Sequence, residues 1–473
     1  MAQVKMSKSL FHEKVTLLME LIICATLCAS DMPKSRKIPK SEHEVRDPIH
    51  IFIHFDSDER RVIDSRPLQR LRHIHQLALT YLIYPGTTHK RFEHSLGVMD
   101  LAGRVFDIVV KNQNVSEEVR RFLPEINQDN KLMYWRSALR MAALCHDVGH
   151  LPFSHAAEDK LLPEGWNHER LTKEIILSEE MKSIWEAMTP PLRPEDIVKL
   201  ALGPRKAGLK FSRWETILSE IIVGDAFGVD RIDYLLRDSH HAGVSYGRFD
   251  HHRLLETLRI LPTPATREPA LGVEYGGLQS AEALVIARYL IYSQVYFHSI
   301  RRICDIHLCD FLAHWLSGGK FSTELESHLA ITDNEVTTAL ISAAFDSSKP
   351  GHEAARRIIR REHFRVMYER NPADLAVNPE SASAIFSAAE KHFGAESVRA
   401  DKYTQRGGSY DFPVLQRDGD SVSSLALSET LKAIPIFAID YVFVEPEKRR
   451  EAEKWLETNH DVIIREGRAK EDE

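Results

Sequence analysis

The chain has 473 residues, a formal net charge of −7, 43% hydrophobic and 28% charged residues, with 22 Gly and 21 Pro. That length corresponds to about three domains of roughly 150 residues, or to one large domain, with enough apolar material for a sizeable core. This balance excludes collagen-like, disordered and multi-span membrane classes, and the acidic total gives no general pull toward nucleic acid or an anionic membrane.

In chain order, residues 1–45 read as an N-terminal extension. Within it, the apolar run Val15–Ser30 follows Lys5, Lys8 and Lys14 and is interrupted by Glu20. It is shorter than the roughly 20 apolar residues of a membrane span. Three readings stay open for it: a start-site artefact or disordered extension ahead of Met32, a helix packed on the body, and an export signal. Leu68, Leu71, Ile74, His75 and Leu77–Leu79 then recur near the helical period, as do Leu96, Val98, Leu101, Val105 and Ile108. Pro85-Gly86 marks a turn between these runs. Leu132–Leu144 and Trp214–Leu236 extend the helical reading, Leu271–Tyr275 predicts one strand, and Leu278–Phe311 predicts a long helix. Residues 371–430, rich in Ala, Ser, Gly and Asp, read as a linker or irregular region. Residues 431–473 read as a small α+β segment, with a strand over Ile434–Val444 and a charged helix over Glu447–Thr458. The expected fold is an all-α helical core over 46–370 with a small C-terminal α+β appendage. Cys24, Cys28, Cys145, Cys304 and Cys309 make no CxxC pair and no even-numbered framework, which points to a reducing, cytoplasmic compartment. Cys145 sits in an apolar run and reads as a core thiol.

The 24 histidines are the unusual figure. Four segments concentrate His and Asp: Arg91-Phe-Glu-His94, His146-Asp147-Val-Gly-His150, Asn167-His168-Glu169, and Asp230-Arg231-Ile-Asp-Tyr234. They are far apart in sequence, so only a folded bundle can gather them. Imidazole and carboxylate are the ligand types expected for a divalent first-row metal, and two His with two Asp leave positions open for water and substrate oxygen. An adjacent His-Asp pair can serve one ion if the helix ends there, and Gly149 relaxes the backbone at that point. By itself an HD dipeptide is a weak signal.

Its surroundings are more specific. Tyr84-Pro-Gly-Thr-Thr-His-Lys-Arg-Phe-Glu-His-Ser-Leu-Gly-Val98 is followed by Leu144-Cys-His-Asp-Val-Gly-His-Leu-Pro-Phe-Ser-His155. Trp166-Asn-His-Glu169, Phe227-Gly-Val-Asp-Arg-Ile-Asp-Tyr-Leu-Leu-Arg-Asp-Ser-His-His241, and Ile331-Thr-Asp-Asn334 leading into an Arg356–Arg365 helix come next in order. This pattern resembles the HD-domain superfamily, and within it the dNTP triphosphohydrolases (dGTPase-like), over about Arg46–Tyr368. About 45 residues precede the match, so no sterile alpha motif domain is expected.

The resemblance implies that His94, His146, Asp147 and Asp230 hold a divalent metal, with Mn²⁺, Mg²⁺, Fe²⁺ and Zn²⁺ all open. It also implies that His150, His155 and His168 contact the α-phosphate, with His155 as general acid toward the leaving 5′-oxygen. Glu158, three residues on, is a candidate to orient His155, although relatives usually carry Asp there. Arg91, Arg231 and Arg288 match phosphate contacts, and Arg231 stands where relatives often have Lys, an unequal replacement. Tyr234, Asp238 and Gln76 match sugar contacts; Tyr292 departs from the His of relatives. Asp64, Gln69 and Arg72 match residues by which some relatives bind a guanine-nucleotide activator and assemble. Glu44 and Arg46 depart from that pattern, and a plain surface pair of Asp64 and Arg72 stays open.

Arg356, Arg357, Arg360, Arg361 and Arg365 form a basic face. Solvated surface, activator phosphates at an interface and single-stranded nucleic acid are its three readings. His240-His241 and His251-His252 read as polar loop or helix-end residues. The expected reaction is metal-dependent hydrolysis of a dNTP, dGTP among the substrates, to deoxynucleoside and tripolyphosphate by water attack at the α-phosphorus. A homo-oligomer, dimer or tetramer, is the expected assembly, with no membrane partner. Another HD phosphohydrolase (nucleotidase, cyclic-nucleotide phosphodiesterase or alarmone hydrolase) and a non-catalytic nucleotide sensor are the alternatives. The first lacks its Gly-Tyr-Pro or acidic-pair signatures here, and the second would not require the full ligand quartet.

Overall fold

A computed structural model describes residues 42–154, 158–405 and 410–469; of Asp159 and residues 466–469 only the backbone is described. Residues from His43 onward form one unit. The apolar run 15–30, with Cys24 and Cys28, lies outside the described residues.

Helix α1 (Arg91–Val109) buries Leu96, Val98, Leu101, Val105 and Ile108, as their spacing requires. Its first turn is closed by Glu93, whose carboxylate accepts the Lys90 backbone N–H at 3.1 Å. Helix α2 (Asp129–Cys145) lies beside α1 and ends at His146, with Ala138–Cys145 all buried. Helix α3 (His168–Ile176) starts from Asn167, whose side chain accepts from the Arg170 N–H at 2.9 Å. Helices α4 (Arg213–Val223) and α5 (Val229–Ala242) replace the single stretch Trp214–Leu236. The break falls at Gly224–Gly228, where a Cβ on Gly228 would stand 2.6 Å from the Ile222 carbonyl oxygen. Likewise Leu278–Phe311 is two helices, α6 (Leu278–Ile291) and α7 (Ser299–Trp315), joined through a π-helical turn at Tyr292–Tyr296. Helix α8 (Asp333–Ala344) follows, with a capping box of Thr332 and Glu335.

The core is mostly helical, with small sheets. Glu42–Asp47 pairs with Ile51–Asp56, and a four-stranded sheet runs Leu258–Pro262, Pro269–Glu274, Pro413–Leu415, Ser421–Ser423 in spatial order. Pro269–Glu274 replaces the expected strand Leu271–Tyr275. Residues 371–430, read from sequence as irregular, carry helices Pro372–Val377 and Ser381–Phe393 and strand Val398–Thr404. Pro413–Leu415 pairs in parallel with Pro269–Glu274, which fastens this region to the core. Composition hid these elements because the strands are short and their partners are remote in sequence.

The basic stretch Arg356–Arg365 also divides: the helix is His352–Ile359, and Arg365–Glu369 is a strand. That strand and Val398–Thr404 flank Ala438–Val444 antiparallel. Ile439, Tyr441 and Phe443 face Phe297, Ile303 and Phe364, while Val442 and Val444 face Ile385, Ala389 and Ala452. A strand covered on both faces reads as a nearly continuous apolar run, which is how Ile434–Val444 stands out in the sequence; the strand itself is Ala438–Val444, and its one charge, Asp440, pairs with Arg370. The closing helix, Arg449–Ala469, starts two residues later and runs longer than the expected Glu447–Thr458. None of the described helices is long and apolar enough to cross a membrane.

Candidate metal and phosphate site

His94 projects from the first turn of α1 and is fully buried, His146 and Asp147 stand just past the end of α2, and Asp230 lies in the first turn of α5. Their polar atoms converge. His94 Nε2 is 3.1 Å from Asp230 Oδ1 and 3.9 Å from Asp147 Oδ2; His146 Nε2 is 3.3 Å from Asp147 Oδ1 and 3.4 Å from Asp230 Oδ1. Asp230 is the most open of the four, its side chain 34% exposed. Gly149 serves this geometry by its lack of a side chain, not by backbone freedom. A Cβ there would lie 2.3 Å from both the His168 carbonyl oxygen and the Thr172 nitrogen, so the close approach of α3 requires glycine.

The donor set fits a divalent cation. His146 Nδ1 donates to the Ala143 carbonyl at 2.7 Å, which leaves the Nε2 lone pair turned toward the carboxylates. That Nε2 is buried and has no hydrogen-bond partner, an orphan of the kind that a metal satisfies. His94 Nδ1 donates to Asp233 Oδ2 at 2.8 Å, so its Nε2 is likewise turned to the cluster.

The electrostatics agree. Burial works against a charge on His94, but Asp230 and Asp233 outweigh it and push its pKa up to about 10. Burial would raise Asp147, yet His146, Arg91 and His150 hold its carboxyl well below the usual range; Asp230 is lowered against burial by His146 and His94. His150 is held well below the usual imidazole range by burial, Arg91 and His168. The carboxylates stay ionised and the spot between them favours positive charge.

The other predicted residues divide. Arg91 is buried, donates from Nε to Ser154 Oγ at 2.9 Å and pairs with Asp147. His150 Nε2 lies 3.3 Å from Asp147 Oδ1, and its ring stacks on His168 at 4.1 Å. Glu158 accepts from the His168 backbone N–H and from His168 Nδ1, both at 2.7 Å. His155, the partner expected for Glu158, lies outside the described residues. Glu158, His168 and Glu169 form a second group within ligand distance of one another.

On the sugar side, Asp238 accepts from His89 Nε2 at 2.7 Å and from the Tyr296 hydroxyl. The Tyr234 ring stands edge-on to Tyr296 at 6.1 Å, and Tyr234 feels the charges of Arg231, Arg288 and Asp230. Arg288 lies near the rings of Tyr292 and Tyr410 at 5.4 and 5.6 Å with a buried Nε that makes no hydrogen bond. Gln76 also keeps a buried Oε1 without a partner. Arg231 instead donates to the Gly224 and Asp225 carbonyls. A cavity of about 670 Å³ opens beside it, and of the predicted residues only Asp230 and Arg231 line it.

The upstream trio does not form one cluster. Asp64 accepts from Arg60 at 3.2 Å, while Gln69 accepts from Arg72 Nε at 2.9 Å and the Arg72 guanidinium covers Phe92 at 3.6 Å. In place of the alternative Asp64–Arg72 surface pair, each residue makes its own local contacts.

Sequence reasoning passed over Asp233, Arg237, His50, Asp47, His89 and Tyr296. The readable signal was Asp233-x-x-x-Arg237, an i, i+4 pair one turn beyond Asp230.

Residues 91–209 match the model of the HD domain, and residues 249–391 match that of an HD associated region. A crystal structure of a hypothetical protein from Aquifex aeolicus superposes with a TM-score of 0.71 at 32% identity, covering 88% of this chain and all of that one (100%). This chain belongs to the HD-domain family. Among curated relatives, the uncharacterized protein YwfO of Bacillus subtilis is 34% identical over 58% of this chain and 56% of its own length. The deoxynucleoside triphosphate triphosphohydrolase SAMHD1 of Bos taurus is 30% identical over 69% of this chain and 58% of its own length. The chain spans about half the length of the curated relatives it matches.

Proposed function

We propose that this HD-domain protein is a metal-dependent phosphohydrolase that cleaves a dNTP, dGTP among its substrates, to deoxynucleoside and tripolyphosphate. The observation that carries the reading is the convergence of His94, His146, Asp147 and Asp230, with the buried orphan Nε2 of His146 aimed at two ionised carboxylates. The likeness to a protein named as a dNTP triphosphohydrolase supports the substrate class. A divalent cation on these four residues, its identity left to experiment, supplies phosphoryl polarisation and a more acidic water.

The chain's own groups supply the rest. Arg91, fixed by Ser154 and Asp147, holds a cation beside the reacting phosphorus, and Arg288 supplies a second positive charge. Arg231 reaches phosphate only by exchanging its present carbonyl partners. Tyr234, Asp238 and Gln76 orient the sugar, Asp238 being pre-set by His89 and Tyr296. His150 and His168 line the α-phosphate side, with Glu158 holding His168. His155 donates the proton to the departing 5′-oxygen. A guanine-nucleotide activator at Asp64, Gln69 and Arg72, coupled to dimer or tetramer formation, belongs to the same proposal. Flat activity and unchanged oligomer size across added GTP and dGTP would remove it.

Anion-exchange separation of products from each dNTP with Mn²⁺ or Mg²⁺ tests the main reading. Tripolyphosphate with deoxynucleoside is expected; stepwise orthophosphate release would assign a nucleotidase instead, and no turnover a sensor.

A further inference from the structure

Asp233 lies one helical turn inside α5 from Asp230, is fully buried, and has four donors around two oxygens. Oδ2 accepts from His94 Nδ1 and from Arg237 Nε, both at 2.8 Å; Oδ1 accepts from His50 Nε2 at 2.6 Å and from Arg237 Nη2 at 2.9 Å. The remaining Arg237 nitrogen, Nη1, donates to Asp47 Oδ2 at 2.8 Å. Every lone pair of the Asp233 carboxylate is thereby used, so each neighbour is compelled to donate. For His94 that keeps a proton on Nδ1, so Nε2, which lies 3.1 Å from Asp230 Oδ1, is the nitrogen that gives up its proton to a metal.

The helix opposite is shaped for this carboxylate. Gly97, one turn after His94 on α1, is so close that a Cβ would stand 2.0 Å from Asp233 Oδ1 and 2.5 Å from Arg237 Nη2. Even alanine would therefore push the carboxylate away from His94.

We propose that Asp233 is a positioning residue for the metal. Clamped by Arg237 and His50, it sets the tautomer and direction of His94, and it makes the turn Asp47–His50 between the first two strands part of the metal site. The assignment rests on the proposed metal quartet but not on the identity of the substrate. Outer carboxylates behind metal-binding histidines raise ligand basicity and orient the ring, and their loss typically costs about 10–100-fold in metal affinity.

The test is Mn²⁺ titration of the full chain, reading free Mn²⁺ by its electron paramagnetic resonance signal, with no substrate present. Asp233→Asn is expected to weaken Mn²⁺ binding about 10–100-fold. His50→Ala, which removes one donor and leaves the Arg237 clamp, is expected to weaken it by a smaller factor of at least about 3, and serves if Asp233→Asn does not fold. His50→Gln, which restores an N–H donor, is expected to recover most of that loss. Thermal unfolding in EDTA separates this role from a purely structural one. Unchanged Mn²⁺ affinity in folded Asp233→Asn or in His50→Ala, whatever happens to the unfolding midpoint, overturns the inference. Wild-type protein that binds no Mn²⁺ overturns the metal quartet itself, and this inference with it.

Discussion

At the scale of single residues, the site is built from groups whose charge is set by burial beside opposite charge. Asp147 is the clearest case: three cationic or imidazole partners keep its carboxyl ionised where desolvation alone would protonate it. Asp147→Asn keeps the shape and removes the charge. We expect metal-dependent turnover to fall at least about 100-fold, the scale on which even outer metal contacts act, with far-ultraviolet circular dichroism unchanged. Retained turnover would contradict the proposed ligand role. The four proposed ligand residues could be picked out of the sequence because His94, His146-Asp147 and Asp230 each carry a recognisable local sequence. Asp233 and His50 were not, since a buried carboxylate with satisfied donors leaves no mark beyond an i, i+4 partner. The trio Asp64, Gln69 and Arg72 was read together from the family resemblance, but Arg72 stacks on Phe92 and bonds Gln69 while Asp64 pairs with Arg60.

At the scale of elements, a buried carboxylate and a half-buried one tie helices to distant segments. Asp333, at the start of α8, accepts from the His75 backbone N–H and from the Phe153 N–H, both at 2.7 Å, and from His75 Nδ1 at 2.6 Å. It thereby holds the turn in which Phe153 and Ser154 adopt left-handed backbone, φ 54° and 56°. Asp333→Ala strands these donors and should cost on the order of 2–4 kcal/mol in urea unfolding. A loss below about 1 kcal/mol would show that water replaces the carboxylate at little cost.

Glu220 on α4 accepts the Leu271 N–H of the adjacent strand at 3.1 Å, and burial pushes its pKa up to about 7 against the ordinary 4.5. A carboxyl raised in the folded state favours folding when protonated. That contribution is complete below pH 4.5 and is lost as pH rises through about 7. Glu220→Gln keeps an acceptor for Leu271 and removes the charge. It should raise the unfolding midpoint at pH 8, by on the order of 2 kcal/mol in stability, and change little at pH 4.5. Equal effects at the two pH values would contradict the assigned cause.

Helix existence was readable from apolar period, as α1 and α2 illustrate. Helix interruption was not: Gly224–Gly228 and Tyr292–Tyr296 break long apolar stretches for reasons of tertiary contact and hydrogen bonding that periodicity cannot register.

At the scale of the whole molecule, a mostly helical core with a small C-terminal α+β part was legible because motif segments fall in a fixed order along a strongly helical chain. The fastening of residues 411–423 onto the core sheet was not, because the pairing joins strands far apart in sequence. The acidic net charge of −7 also concealed a centre where carboxylates are held ionised against burial by arginine and imidazole. In the proposed reaction this centre directs water to the α-phosphorus of a dNTP, forming one O–P bond and breaking the bond from that phosphorus to the 5′-oxygen. Turnover of dGTP in ¹⁸O-water, read by mass spectrometry of separated products, tests it most directly. One ¹⁸O per tripolyphosphate and none in the deoxynucleoside is the expected result; label in released orthophosphate, or in the nucleoside hydroxyl, would contradict it.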